Sequence, residues 1–132
     1  MSGISNTSDY LLFYGSLRQG LDGRQKLNIE AFIEYLSNCR VPGRLYDLGP
    51  YPGLLLSEAG QVVCELYHIK DAQCIALLDA FEDFDPRNQA ASLYLRKRIP
   101  VPGHHLEAWI YEYNRPVRPD QFITSGDWKN PR

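Results

Sequence analysis

Apolar residues occur in short runs along most of the chain, and these runs predict strands. Residues 9–14 (DYLLFY) are mostly apolar and predict a short buried strand. Residues 61–69 (QVVCELYHI) are rich in β-branched and aromatic side chains, which is typical of a strand. We expect a further strand at 54–57, closed by a Glu-Ala-Gly turn. Residues 39–49 are predicted to be extended, with an interior Pro-Gly pair marking a bulge or an edge.

Two segments have the apolar spacing of amphipathic helices. In residues 24–36 apolar side chains recur four positions apart, which predicts a helix. A second helix is predicted from a cap at Asp71 to about Phe84, because Pro86 then stops it.

The last third of the chain predicts a hairpin followed by a strap. Residues 92–113 contain two strand-like runs around the turn PGHH. The residues after this hairpin are rich in proline and charge and are predicted to lie over the surface. Several strands, two helices and no regular βαβ repeat indicate an α+β fold, either a curled sheet or a small barrel. We expect a single domain over residues 10–132 and a disordered tail over residues 1–9.

Composition narrows the classes of partner. Of the 132 residues 44% are hydrophobic and 23% charged, and the net charge of −2 supplies no basic field for nucleic acid. The polar N-terminal residues do not resemble a signal peptide, and no apolar run is long enough to cross a bilayer. The cysteines at 39, 64 and 74 form no CxxC pair, so neither a disulfide framework nor a zinc site is expected. We therefore expect a soluble cytoplasmic protein with no nucleic acid or membrane partner.

One carboxylate in the second helix falls on the apolar side. At 100° per residue Glu82 lies between Ile75 and Leu78, whereas Asp83 points away. A carboxyl on a core-facing stripe has a raised pKa unless it is paired, and such a group suits general acid–base chemistry near neutral pH. The alternative is that Glu82 bends outward at the helix end, where it is solvated or pairs with an arginine.

A turn with unusual composition follows the first strand. In YGSL, residues 14–17, Gly15 permits backbone angles that other residues avoid. Successive N–H groups in such a turn can form a concave site for a carboxylate or phosphate. The alternative is a plain β-turn, since the spacing matches neither a nucleotide P-loop nor GxGxxG.

Several further side chains have two interpretations each. Arg96 either binds a carboxylate or is an exposed cation. One strand face carries Trp109, Tyr111 and Tyr113. These aromatic side chains either pack in the barrel or form a surface on which a substrate stacks. Glu65 supports the cavity or forms an ion pair, and we do not predict it to be catalytic.

The sequence resembles the γ-glutamylcyclotransferase-like, or AIG2-like, family from Tyr10 to Trp128. The blocks that carry the resemblance are, in chain order, YGSLRQG, VPGRLYDLGPYPGLLL, VVCELYHI, LDAFEDFDP, YLRKRIPV, EAWIYEYN and SGDW. Each block alone is moderately specific, and their occurrence in this order identifies the family. One departure is Cys64, which stands where the family usually has glycine and is expected to narrow the pocket or shift the strand.

The resemblance implies a small mixed β-barrel flanked by helices, with a cavity at its mouth. It implies an enzyme that cyclises a γ-glutamyl amine or peptide to 5-oxoproline and releases the amine, without metal or cofactor. The family's acidic catalytic residue falls on Glu82, and its substrate-binding turn on Tyr14, Gly15, Ser16 and Leu17. Tyr94 matches an aromatic position of the family and either lines the cavity or is a core tyrosine. The alternative is a non-catalytic binding or regulatory module with the same cavity; we expect a monomer, or at most a weak dimer.

Overall fold

Six strands and two short α-helices make up the described part of the chain, residues 9–131 of a computed structural model. In chain order they are β1 (Asp9–Phe13), α1 (Asp22–Leu27), β2 (Ile33–Asp47), β3 (Pro52–Ile69), α2 (Gln73–Phe81), β4 (Tyr94–Val101), β5 (Leu106–Tyr113) and β6 (Phe122–Ile123). The strands form one sheet in the order β4-β5-β1-β3-β2-β6. Strand β1 pairs parallel with β5, and the other neighbours pair antiparallel. The predicted α+β class with a mixed sheet is therefore confirmed.

The two longest strands make the sheet curl. Strand β3 has 18 residues and extends well beyond the five-residue β1. Its first half therefore reaches β5, where the Leu56 N–H donates to Glu112 Oε2 at 2.8 Å. A Cβ on Gly53 would lie 2.8 Å from the Tyr113 ring, so only glycine allows this approach. The sheet is thus barrel-like in curvature, although β4 and β6 remain unpaired edges within residues 9–131.

Alternation along β1 divides the apolar core between the two sheet faces. Leu12 packs in the cluster inside the curl, and Leu11 packs in the cluster beneath α2. Cys74 and Leu78 are the buried residues of α2, and they pack onto this second cluster. The C-terminal end of α2 is thereby held over the end of β1.

The helix predicted over residues 24–36 is wrong beyond its first turn. Helix α1 ends at Leu27, and Asn28 adopts the left-handed conformation (φ 57°). After one 3-10 turn the chain enters β2 at Ile33, which pairs with Ile69 of β3. Hydrogen bonding along the whole of β3 outweighs the local apolar spacing that indicated a helix.

The middle of the chain is more continuous than predicted. The predicted strands at 54–57 and 61–69 are parts of the single strand β3. The Glu-Ala-Gly segment is a bulge inside it, because the register passes from Pro42↔Gln61 to Gly43↔Leu56. The bulge predicted at Pro-Gly in residues 39–49 is confirmed by this same shift.

Later elements follow the predictions with adjusted ends. Helix α2 ends at Phe81, three residues before the predicted position, and β4 and β5 form the predicted hairpin. The final segment includes β6, which pairs with β2 at one edge of the sheet. It continues to Gly126, whose carbonyl accepts a hydrogen bond from the Val63 N–H at 2.8 Å.

The predicted tail, residues 1–9, lies outside the described residues except for Asp9, which begins β1. None of the helices formed by residues 9–131 combines the length and apolar character needed to cross a membrane. Within the same residues, no three His, Cys, Asp or Glu side chains are grouped so that they could hold a metal ion.

Candidate active site

A cavity of about 250 Å³ opens where β1 ends, between the turn that follows β1 and the C-terminal end of α2. The start of β3 and adjacent ends of β4 and β5 complete the wall. The lining residues are Leu12, Phe13, Tyr14, Gly15, Ser16, Leu17, Tyr51, Pro52, Phe81, Glu82, Leu93, Tyr94 and Tyr111. All six site residues that the sequence predicted are in this set, so the fold brings them together around one cavity.

Close packing explains the glycine in the turn that follows β1, which we call the site turn (residues 14–19). A Cβ on Gly15 would lie 2.8 Å from Pro52 Cγ, so a larger residue would push the turn away from β3. Gly15 is not among the glycines with positive φ, and the predicted need for unusual backbone angles at this position is wrong. Gly23 has a similar role, because its Cβ would lie 2.9 Å from the Ser16 carbonyl oxygen.

The carbonyl groups and the N–H groups of the site turn differ in their hydrogen bonding. Every carbonyl from residue 15 to residue 19 accepts a hydrogen bond of 2.7 to 3.2 Å. The donors are the backbone N–H groups of Arg18, Arg24 and Leu21, the Arg24 guanidinium and the Lys129 ammonium. Within residues 9–131, by contrast, the N–H groups of Gly15, Ser16 and Leu17 have no acceptor. The turn therefore presents unpaired donors at the cavity wall, an arrangement that can bind an anionic group.

Glu82 forms the other side of the cavity. It is the C-cap residue of α2, and its backbone N–H donates to the Leu78 carbonyl at 2.9 Å. Burial raises the pKa of the Glu82 carboxyl to about 8. Within the described residues neither an arginine nor any other group pairs with this carboxyl, so the alternative of an ion pair at the helix end is not found.

The tyrosines around Glu82 do not direct their hydroxyl protons at it. Tyr14 donates to the Tyr111 carbonyl at 2.5 Å, and Tyr94 donates to the Pro52 carbonyl at 2.7 Å. Burial raises the pKa of Tyr14 and of Tyr94, and the neighbouring Glu82 charge adds to both shifts. Both phenols therefore stay neutral and form the apolar, rigid surroundings that desolvate Glu82.

Six of the thirteen cavity residues had no predicted role in the site: Leu12, Phe13, Tyr51, Pro52, Phe81 and Leu93. Tyr51 and Phe81 are 37% and 38% exposed and stand at the mouth, while Pro52 and Leu93 lie deeper. Phe81 could have been predicted from its position next to Glu82 at the end of the helix. Tyr51 precedes β3 in the segment Pro-Tyr-Pro-Gly, and no sequence pattern there indicates a place in the cavity. Cys64 does not line the cavity: it packs in the core, so the expected narrowing of the pocket is not found.

Arg96 is not the exposed cation of one of its two interpretations, because it binds a carboxylate of the protein itself. Its guanidinium pairs with Asp79 of α2 at 2.8 Å and lies over the Trp109 ring, 4.5 Å from the centroid. Tyr111 donates to the same carboxylate at 2.6 Å. These contacts hold α2 against the hairpin and so fix the wall that carries Glu82.

Behind the site turn lies a buried ion pair of which the sequence indicated only one member. Arg18 and Glu65 are 4% and 3% exposed, and Arg18 Nε lies 3.2 Å from Glu65 Oε2. Of the two interpretations of Glu65, support of the cavity or an ion pair, the structure shows the ion pair. Arg18 was missed, although a charge directly after an apolar strand and turn is the available signal.

A cavity of this size, lined by one desolvated carboxyl and by residues whose N–H groups have no acceptor within residues 9–131, is typical of a protein that acts on or binds a small molecule. The family model for γ-glutamyl cyclotransferase, AIG2-like proteins matches residues 11–130, and the chain belongs to this family. It is 40% identical to the γ-glutamylcyclotransferase family protein YtfP of Escherichia coli K12 over 125 residues, which cover 89% of this chain and 94% of YtfP.

Solved structures show the same fold. The solution structure of E. coli YtfP superposes with a TM-score of 0.64 at 35% identity, covering 90% of this chain and 95% of YtfP. The crystal structure of an AIG2-like protein from Mus musculus has a TM-score of 0.68 at 23% identity, with 88% of this chain and 83% of that one covered.

Proposed function

We propose that the protein is a γ-glutamylcyclotransferase-type enzyme. It converts the γ-glutamyl group of a small γ-glutamyl amine or peptide to 5-oxoproline and releases the amine. One observation carries the proposal: the same cavity is lined by Glu82 and by Gly15, Ser16 and Leu17, and within residues 9–131 neither the carboxyl nor the three backbone N–H groups have a hydrogen-bond partner. Family membership supports the reaction class.

Glu82 serves as general acid and base in this proposal. With a pKa of about 8, roughly one tenth of the carboxyl is ionised at pH 7. A pKa this close to the working pH suits a group that must both accept and donate a proton. The ionised carboxyl takes a proton from the substrate α-ammonium, and the resulting amine attacks the γ-carbonyl carbon. Glu82 then gives the proton to the leaving nitrogen as its bond to carbon breaks. The second proton lost by the α-nitrogen leaves with the released amine, which ends as an ammonium.

The site turn binds the glutamyl end of the substrate. Its N–H groups suit either the α-carboxylate or the oxygen that becomes negative when the γ-carbonyl is attacked. Tyr94 and Tyr14 line the same space and exclude water around Glu82. No step of this reaction requires a metal or an organic cofactor.

The second candidate is a binding or regulatory module without turnover. The observation in its favour is the same pKa of about 8, because a protonated Glu82 can donate a hydrogen bond to a ligand carboxylate. For either function we propose a cytoplasmic monomer; the three free cysteines suit a reducing compartment.

The test is to incubate the protein with a panel of γ-glutamyl amines and dipeptides and to measure 5-oxoproline by mass spectrometry. Glu82→Gln serves as the inactive comparison, and Asp83→Asn, an exposed neighbour, as the matched control. Product from wild type and Asp83→Asn but not from Glu82→Gln supports the enzyme. Thermal stabilisation by the same compounds without product supports the binding module.

A further inference from the structure

A group of charged side chains behind the site turn connects it to distant parts of the chain. We call Arg18, Glu65, Asp127 and Lys129 the Glu65 cluster. Glu65 lies in β3 directly across from Phe13, the last residue of β1, so its carboxylate stands where the turn begins. Asp127 and Lys129 come from the segment that follows β6.

Both oxygens of Glu65 are engaged by the turn and its surroundings. Oε1 accepts hydrogen bonds from the Gln19 N–H at 2.9 Å and from the Tyr67 hydroxyl at 2.8 Å. Oε2 lies 3.2 Å from Arg18 Nε and 3.6 Å from Lys129 Nζ. Two consecutive residues of the site turn, Arg18 and Gln19, are thus bound to one buried carboxylate.

The C-terminal segment binds the same two residues from the other side. Asp127 Oδ1 accepts a hydrogen bond from the Arg18 guanidinium at 2.7 Å. Lys129 Nζ donates to the Gln19 carbonyl at 2.7 Å. Gln19 therefore has both its N–H and its carbonyl held by the cluster.

Arg24 of α1 is not part of the Glu65 cluster, but it also binds the site turn. Its guanidinium donates to the Leu17 carbonyl at 3.2 Å and to the Tyr67 hydroxyl at 2.7 Å, and Tyr67 in turn donates to Glu65. The carbonyl side of the site turn is therefore bound to donors inside the protein, which leaves its N–H side for a ligand.

The cluster acts through geometry, because its charges cancel. Arg18 and Lys129 carry two positive charges and Glu65 and Asp127 two negative ones. Burial alone would raise the pKa of Glu65, but hydrogen bonds from Gln19, Tyr67 and Arg18 hold it below its usual value. A buried ion pair of this kind adds little to stability compared with apolar side chains, but it fixes the orientation of the groups it joins.

We propose that the Glu65 cluster positions the site turn for ligand binding, and that Glu65 and Lys129 are positioning residues of the site. The inference rests on the proposed function for its kinetic consequences. Without the cluster the peptide groups of the turn can rotate, and the N–H groups of Gly15, Ser16 and Leu17 no longer keep one arrangement at the cavity wall.

The kinetic test compares Glu65→Gln and Lys129→Met with wild type and with Glu112→Gln. Glu112 is the matched control, because it is a part-buried carboxylate that accepts a backbone N–H, from Leu56, and does not line the cavity. A displaced binding turn lowers kcat/KM by about 10²-fold in Glu65→Gln. Lys129 is exposed, so its replacement keeps the fold and lowers kcat/KM by about three- to tenfold.

The division of the loss between kcat and KM also identifies what the turn binds. A rise in KM at constant kcat assigns the N–H groups to the substrate carboxylate, and a fall in kcat assigns them to the developing oxyanion. Either result supports positioning. Unchanged kcat and KM in Lys129→Met, or an equal loss in Glu112→Gln, overturns it.

Amide hydrogen exchange gives a readout that does not depend on turnover. The Arg18 N–H is bonded to the Gly15 carbonyl and the Arg24 N–H to the Ser16 carbonyl, and neither contacts Glu65. Faster exchange of these two amides in Lys129→Met, but not in Glu112→Gln, supports positioning even if no γ-glutamyl compound is turned over. Unchanged exchange would falsify the inference while leaving the proposed function to its own assay.

Discussion

Two glutamates flank the site turn, and their surroundings are opposite. Glu65 is buried behind the turn and contacts four donors, and its pKa is held below the usual value. Glu82 faces the turn across the cavity without a partner among residues 9–131, and burial raises its pKa to about 8. Burial acts in the same direction on both carboxyls, so the number of donors decides the sign of each shift.

The two surroundings suit two different roles, one in holding the geometry of the site and one in proton transfer. A carboxylate with all its donors in place stays ionised and holds its neighbours in one geometry. A carboxyl without donors changes its protonation near neutral pH, which is the property required of a general acid or base. The fold supplies both states from the same residue type by placing one at a strand–turn junction and the other at a helix end.

The largest expected effect comes from removing the unpaired carboxyl. Glu82→Gln keeps the volume and deletes the base, so turnover of a γ-glutamyl amine should fall by about 10²- to 10⁴-fold. Circular dichroism and the melting temperature should show an intact fold. Near-normal turnover in this variant would refute Glu82 as the acid–base residue.

The second-largest expected effect comes from displacing the N–H donors of the site turn. Gly15→Ala places a Cβ 2.8 Å from Pro52 Cγ, so the site turn must move away from β3. We expect kcat/KM to fall by about 10²-fold, because the N–H groups leave their place at the cavity wall. Ser16→Ala is the control in the same turn and should change kcat/KM only slightly, since the proposed binding uses backbone groups. A large loss in Ser16→Ala would instead assign the binding to its hydroxyl.

The pH dependence of stability should distinguish the two glutamates. Between pH 4.5 and about 8 native Glu82 keeps a proton that the unfolded chain has lost, so its contribution to stability falls as the pH rises. The free energy of unfolding of Glu82→Gln, relative to wild type, should therefore increase from pH 5 to pH 8 and then stay constant. Denaturant titrations at four or five pH values measure it, and a constant difference would contradict the raised pKa.

The smallest effect concerns a single donor to Glu65. Tyr67→Phe removes the hydroxyl that donates to Glu65 Oε1 and should cost about 1 kcal/mol of unfolding free energy. Because the ionised form of Glu65 is the one that loses a donor, the cost should be present at pH 6 and shrink as Glu65 becomes protonated in acid. Tyr35→Phe, which removes an exposed hydrogen bond to Asn38, is the control and should be neutral.

The sequence predicted the residues of the cavity better than the elements that carry them. Glu82 was identified because helical spacing places it on the apolar side, and this holds even though α2 ends at Phe81. The helix predicted over residues 24–36 failed because apolar spacing is a local signal, whereas residues 33–35 form strand by pairing with residues 67–69, more than thirty positions later.

The Glu65 cluster could be predicted only in part, for a similar reason. Glu65 stands between apolar neighbours in VVCELYHI, which indicates a buried charge that needs a partner. No spacing rule connects it to Arg18, 47 positions earlier, or connects Arg18 to Asp127, 109 positions later. Such pairs depend on the complete topology and appear only in three dimensions.

The contacts of Lys129 and Asp127 have a consequence for protein synthesis. The site turn is translated early, yet the groups that bind Gln19 and Arg18 from the C-terminal side lie more than a hundred positions later in the chain. Closing so long a loop is slow and costs chain entropy. On the ribosome the first strand and its turn therefore emerge long before their last supports, and the contacts of Asp127 and Lys129 with the turn form only when residue 129 has left the exit tunnel.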